Sequence, residues 1–208
     1  MLVFTPCSQP GCSRFALSHS EFCYRHLPNQ LDSVRKILTD VETHNEFTGW
    51  NFSEISFTDI SFSNKVFSNC LFAHCVFPGT VFDNCRIDTC FFTFAMFSQA
   101  IWKNCIIHNS SFSGSELTEA KIIDSTVLQS SLNGCLIRDA AFTSSDLFRS
   151  TFIGSKLNSA NFEDCNLKRV NFCRSERNNV RFQWSNEIEA IYSEEPLSQS
   201  QYTPLERL

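Results

Sequence analysis

Glycine and proline are scarce in this 208-residue chain, at six each, which excludes collagen-like and low-complexity disordered classes. Methionine (2), tryptophan (3) and tyrosine (3) are rarer still, so the 22 phenylalanines do not reflect a general wealth of large apolar residues. Some recurring structural slot must be asking for Phe. No apolar run approaches the roughly 20 residues that a membrane span needs. A cationic excess is also missing: the net charge is -5, whereas nucleic-acid binding needs a basic stripe to displace counterions. The opening MLVFTPCSQPGC lacks the basic segment, apolar core and small-residue site of a secretory leader. The eleven cysteines are therefore expected to be mostly free thiols of a reducing, cytoplasmic compartment.

What is abundant is a period. Stepping by five from Phe47 to Phe172 meets 26 large apolar residues in succession, with no insertion. Arg177 breaks the rule and Phe182 briefly resumes it. From Phe72 onward, two residues before each large one stands a small one, as in Cys70, Cys75, Thr80, Cys85, Cys90 and Ala95. Five matches neither a helix (3.6) nor a strand (2.0). It requires a chain that turns a corner every five residues and sends two side chains inward on each side.

On these residues the chain resembles the pentapeptide-repeat family, whose unit is a small residue, a polar one, Leu or Phe, and two variable positions. Ala160-Asn161-Phe162-Glu163-Asp164 and Val170-Asn171-Phe172-Cys173-Arg174 follow it closely. The resemblance covers roughly 130 of 208 residues. It implies an all-β fold, a right-handed quadrilateral β-helix with four repeats per coil and residues 20 apart stacked. Phe52, Phe72, Phe92, Phe112, Leu132, Phe152 and Phe172 are then one inner column. Coils at the ~4.8 Å inter-strand spacing make a rod on the order of 30 Å long. The seven ladder cysteines, Cys70 to Cys165, are expected to act as compact hydrophobes.

Four segments follow: 1–28, a zinc-binding-like segment; 29–44, a capping helix; 45–184, the β-helix; 185–208, a C-terminal cap and flexible tail. Leu31, Val34, Ile37, Leu38 and Val41 recur at helical spacing and predict the apolar stripe that covers the first coil. Trp50, too large for the small slot, belongs to that junction. In the first segment Cys7, Cys12, Cys23 and His26 are spaced C-x4-C-x10-C-x2-H. Three thiolates and an imidazole form a closed tetrahedral set suited to structural zinc, and metal would stabilise a segment poor in apolar residues. His19 is the reserve ligand. The competing reading is three unrelated thiols.

No catalytic constellation, nucleophile elbow or phosphate loop is present, and the reading is a non-enzyme. In the second to fourth coils the residue just before an inward one is apolar at Val66, Leu71, Val76, Val81, Phe91, Met96, Ile101 and Ile106, with Phe94 nearby. After residue 110 they turn polar. Such a belt marks a protein contact site; the competing reading is β-propensity alone. The leading function is a scaffold for a protein partner, without direct nucleic-acid binding. The runner-up is the DNA-mimicking topoisomerase binder known among quinolone-resistance members, which needs an acidic tube, whereas residues 45–175 hold 12 acidic and 10 basic residues. A secreted bacterial effector is a third option. Homodimerisation through the C-terminal coil, as in some relatives, finds no clear apolar terminus to support it.

Overall fold

The computed structural model describes residues 4–192. From Phe47 onward it is a four-sided parallel β-solenoid of about six turns. Every pairing joins residue i to i+20: Phe47 to Phe67, Phe67 to Ile87, Phe62 to Phe82, Ile137 to Leu157. One side stacks the strands Glu46–Thr48, Val66–Ser68, Arg86–Asp88, Ile106–His108 and Thr126–Leu128. Another stacks Ser61–Ser63, Val81–Asp83, Ile101–Lys103, Lys121–Ile123 and Ala141–Thr143. The remaining two sides are built from single bridges, such as Asn51 to Leu71 to Phe91, and one strand pair, Leu136–Arg138 with Lys156–Asn158.

Five residues suffice per side because each corner is a tight turn. In the side that begins at Phe72, the Cys75 N–H donates to the Phe72 carbonyl and His74 has φ 58°. A positive φ at the third turn residue defines the type II turn. The same position is left-handed at corner after corner, which explains its wealth of Asn, Asp and Gly. Large side chains then fill the tube in columns. Phe52, Phe72, Phe92 and Phe112 stack with centroids 4.7, 4.6 and 4.8 Å apart. Each such pair contributes about 0.5–1.5 kcal/mol beyond its area burial.

The small slot does more than save space. Its hydroxyls and thiols donate to a carbonyl of the preceding coil: Cys75 to Phe52 (3.0 Å), Ser115 to Phe92 (2.6 Å), Ser150 to Val127 (2.8 Å). The same oxygens accept backbone N–H groups of that coil, as Ser115 does from Ala95 and Ser150 from Ser130. Cysteine in this slot is thus a donor as well as a compact hydrophobe. Burial pushes the thiols of Cys135 and Cys165 up to about 12, so they stay protonated and inert to thiolate chemistry.

The helix α1 spans Gln30–Thr43, with the Asn29 side chain accepting from the Asp32 amide at its start. Ile37 and Val41 are buried against the first coil, and Val34 and Leu38 pack half-buried beside them. Leu31 departs from the expected stripe: it lies one turn too early to reach the coil and is 78% exposed. Trp50 sits at the junction, stacked on Phe52 and edge-on to Phe47 and His19. Lys65 occupies a small slot yet is buried, because its ammonium donates to the His44 carbonyl (2.6 Å) and to Asn45 (3.0 Å). A cation among the carbonyls at the end of α1 suits the helix dipole.

Past Arg177 the coils persist. Phe182 stacks on Phe162, Tyr192 on Phe172, and Ile191 bridges Asn171. The cap expected from residue 185 is therefore a 3-10 turn, Glu187–Glu189, followed by a return to the ladder. The ring of Tyr192 does the work the period assigned to Phe. The tail expected from residue 196 lies outside the described residues.

Candidate metal centre and apolar outer face

The N-terminal segment is a small knuckle. Pro6 bridges Phe15 antiparallel, Cys7 N–H donates to the Arg14 carbonyl, and Cys12 N–H closes a turn on Gln9 where Gly11 takes φ 76°. This loop presents Cys7 and Cys12. A 3-10 turn, Tyr24–His26, presents the other pair, its His26 N–H bonded to the Cys23 carbonyl. The four ligand atoms of Cys7, Cys12, Cys23 and His26 all lie within 4.8 Å of one another. Cys12 and Cys23 sulfurs are 3.9 Å apart, and His26 Nδ1 is 3.5 Å from Cys7 and 3.4 Å from Cys23. A tetrahedral zinc with ordinary bond lengths sets its ligand atoms about 3.8 Å (S to S) and about 3.5 Å (S to N) apart. The donor set fits a metal ion of that size. His19, the reserve ligand, lies elsewhere, with Nε2 3.3 Å from Asp40.

Electrostatics prepare the site. Burial alone raises the Cys7 thiol, but the amides of Cys23 and Gln9, with the His26 ring, outweigh it and bring it down to about 6. For Cys12 the Arg14 amide pulls downward, yet burial and the neighbouring Cys23 and Cys7 thiols prevail and push it up. Three thiols this close cannot all ionise without a cation to share.

The knuckle is docked onto the solenoid through Asn51, which is buried. Its side-chain amide donates to the Ala16 (2.7 Å) and Phe15 (3.2 Å) carbonyls, and its backbone exchanges bonds with Ser18. Arg14 and Arg25 both reach the Glu54 carboxylate, at 3.6 and 2.7 Å. The length-blind period could not reveal this: Asn51 and Glu54 read as ordinary polar repeat positions.

The belt residues lie where the repeat puts them, on the outside. Phe94, Met96 and Ile106 are exposed; Leu71, Val76, Val81, Phe91 and Ile101 are half-buried, flush with their neighbours. Leu71 bridges Phe91, Val76 bridges Met96, and Val81 pairs with Ile101. Ile106 is separated from Val66 by Arg86, so the belt is interrupted on that side. A cavity of about 260 Å³ opens between knuckle and tube, lined among others by Phe15, Tyr24, Leu71, Ala73 and His74. Among the described residues no helix is long and apolar enough to cross a membrane.

The family model for the pentapeptide repeat region matches residues 95–172. No curated protein sequence matches. Among solved structures, the chain is similar to QnrB1, a plasmid-mediated fluoroquinolone resistance protein, at 18% identity and TM-score 0.40, covering 72% of this chain and 91% of that one. It is also similar to Rfr23 from the cyanobacterium Cyanothece 51142, at 10% identity and TM-score 0.44, over 77% and 99% of the two chains. A thylakoid-lumen protein of Arabidopsis thaliana gives 16% identity and TM-score 0.30, over 60% and 70%. Those likenesses say nothing of partner or activity. The match marks residues 95–172 as a pentapeptide repeat region, and the same five-residue period and coil geometry run from Phe47 to Phe172.

Proposed function

We propose that this protein is a non-enzymatic scaffold that engages a protein partner through the apolar outer surface of its first coils, in a cytoplasmic setting. One observation carries the reading: the residue just before each inward one is apolar from Leu71 to Ile106, interrupted by Arg86, and mostly polar from Ser111 to Asn171. β-propensity alone would not stop near residue 110, since the same strands continue beyond it. Exposed apolar surface of this kind is a contact site. The charge pattern does not favour mimicry of DNA: Arg149, Arg169 and Arg174 have no carboxylate within ion-pair distance among the described residues. Phe91→Glu with Met96→Glu should leave melting and circular dichroism unchanged and abolish capture of the partner. Retained capture would sink the belt.

The knuckle in this reading holds one structural zinc through Cys7, Cys12, Cys23 and His26, which fixes a short apolar-poor segment onto the tube. Native mass spectrometry of the purified chain should show one zinc per molecule, lost in Cys23→Ser. A metal-free chain with an intact knuckle would reduce these residues to a plain cap.

A further inference from the structure

The four sides of the tube are not equivalent. On the side whose inward column runs from Phe52 to Phe172, every residue immediately before or after an inward one is uncharged, from Asn51 to Cys173. Each other side carries three or more charges, for example Glu116, Arg138 and Lys156 on the next. The uncharged side begins under the knuckle, at the cavity floored by Leu71 and Ala73. The charged residues at that cavity's rim, Arg14 and Glu54, pair with each other.

Phe94 stands at the corner of this side. Its φ is 57°, and among the described residues with positive φ only Phe94 and Trp184 carry large apolar side chains. A bulky residue is strained there, and strain that persists at an exposed residue points to a use. The ring is held between two neighbours. His74 stacks on it at 5.4 Å and 11°, and a Cβ on Gly114 would meet its Cε1 at 2.5 Å. The ring nonetheless stays 60% exposed. An aromatic ring standing out of a neutral strip fits a pocket in another protein.

We infer that this uncharged side, with Phe94 as its projecting knob, docks a partner protein that presents a neutral, apolar surface with a pocket for the ring. The inference rests on the scaffold reading above and narrows it to one side and one partner chemistry. An uncharged strip offers no ion pair to a charged surface and would strip its water without return. One side of a rod roughly 30 Å long is also smaller than the roughly 800 Å² per partner of a stable dimer. A transient partner suits it better than a second copy.

The probe is p-benzoylphenylalanine introduced at position 94, with Thr118 on the next side as control position, irradiated in the native cell. The adduct partner is identified and the pair reconstituted. We expect ~10-fold more adduct from 94 than from 118, and a Kd that moves less than ~2-fold between ~50 and ~500 mM NaCl. Phe94→Asn removes the knob but relieves the left-handed strain, so binding should fall at least ~10-fold while Tm rises by a few degrees. An adduct with a second copy, a steep salt dependence, or undiminished binding by Phe94→Asn overturns the inference. Adducts from Met96 or Ile106 but not from 94 overturn it and leave the scaffold reading standing; no adduct from any belt position ends both.

Discussion

The first three coils and the last three share one backbone and differ in almost every side chain. From Phe47 to Phe112 the inward positions are nearly all aromatic, the small slots hold five cysteines, and the outside carries the apolar belt. From Ser115 to Phe172 the inward positions are mostly Leu, Ile and Val with isolated Phe, half of the slots are serine, and the outside is mostly polar, with Ile123, Leu128, Leu136, Phe148 and Ile153 as exceptions. The solenoid tolerates both because pairing at i and i+20 asks only for one large and one small inward residue per side. What varies freely under that rule is the outside. Under the proposed scaffold reading, the half with the knuckle, the cavity and the belt would carry recognition, and the other half would supply length.

The contrast can be broken by truncating one inward residue in each half. Phe72 is sandwiched at 4.7 and 4.6 Å between Phe52 and Phe92, so Phe72→Ala should cost about 4 kcal/mol in a denaturant titration. Leu132→Ala, in the same column but with no ring of its own to stack on Phe112 and Phe152, should cost about 3 kcal/mol. Equal costs would mean that stacking adds nothing to the aromatic half. Next comes the slot: Ser150→Ala removes a donor to Val127 and an acceptor for Ser130, a loss of about 1–2 kcal/mol. Cys75→Ser, which preserves the donor to Phe52, should be close to neutral.

The smallest effect is alkaline. A thiol ionises ordinarily near 9.0, and burial holds Cys135 and Cys165 protonated to about 12. Burial likewise pushes Cys75 up, and Cys90 and Cys105 are raised by their partner thiols first and by burial second. Above 9 the unfolded chain releases protons that the folded chain retains, so stability present below that pH falls as pH climbs toward 12. Cys70 and Cys85 are lowered by those same thiol–thiol hydrogen bonds and act the other way, so with three raised slot thiols against two the first half should lose hydrogen-exchange protection only slightly before the second as pH rises from ~8.5 to ~10.5 under reductant. Loss in the reverse order would show that the serine-slotted coils are the weaker half.

Much of this was legible because each inward position obeys one period: Phe47 to Phe172 marked the inward side chains, and the resemblance to the pentapeptide-repeat family supplied four repeats per coil and with them the register and the columns. The ligand set was legible for a different reason, since Cys and His have few other uses so close together. What the period hid are the residues that break its logic locally. Lys65 sits in a small slot because α1 ends above it, and the repeat pattern alone does not show that the exposed carbonyls there ask for a cation. Asn51 and Glu54 anchor the knuckle from positions where any polar residue would satisfy the repeat. Leu31 was over-read, since helical spacing continues one turn beyond the coil it was meant to cover. Tyr192 and Ile191 carry the ladder past Arg177, where two irregular residues ended the visible pattern but not the hydrogen bonds.

The pairing of every residue with the one 20 places on has a consequence for how such a chain can change over generations. Duplicating or deleting a whole coil between residues 115 and 172 alters no contact type, because each coil touches only its two neighbours. A shift of one residue, by contrast, turns every later inward side chain outward. Length in this molecule is thus inherited in quanta of a coil. The reach of the rod can be lengthened or shortened without touching the end that bears the knuckle and the belt.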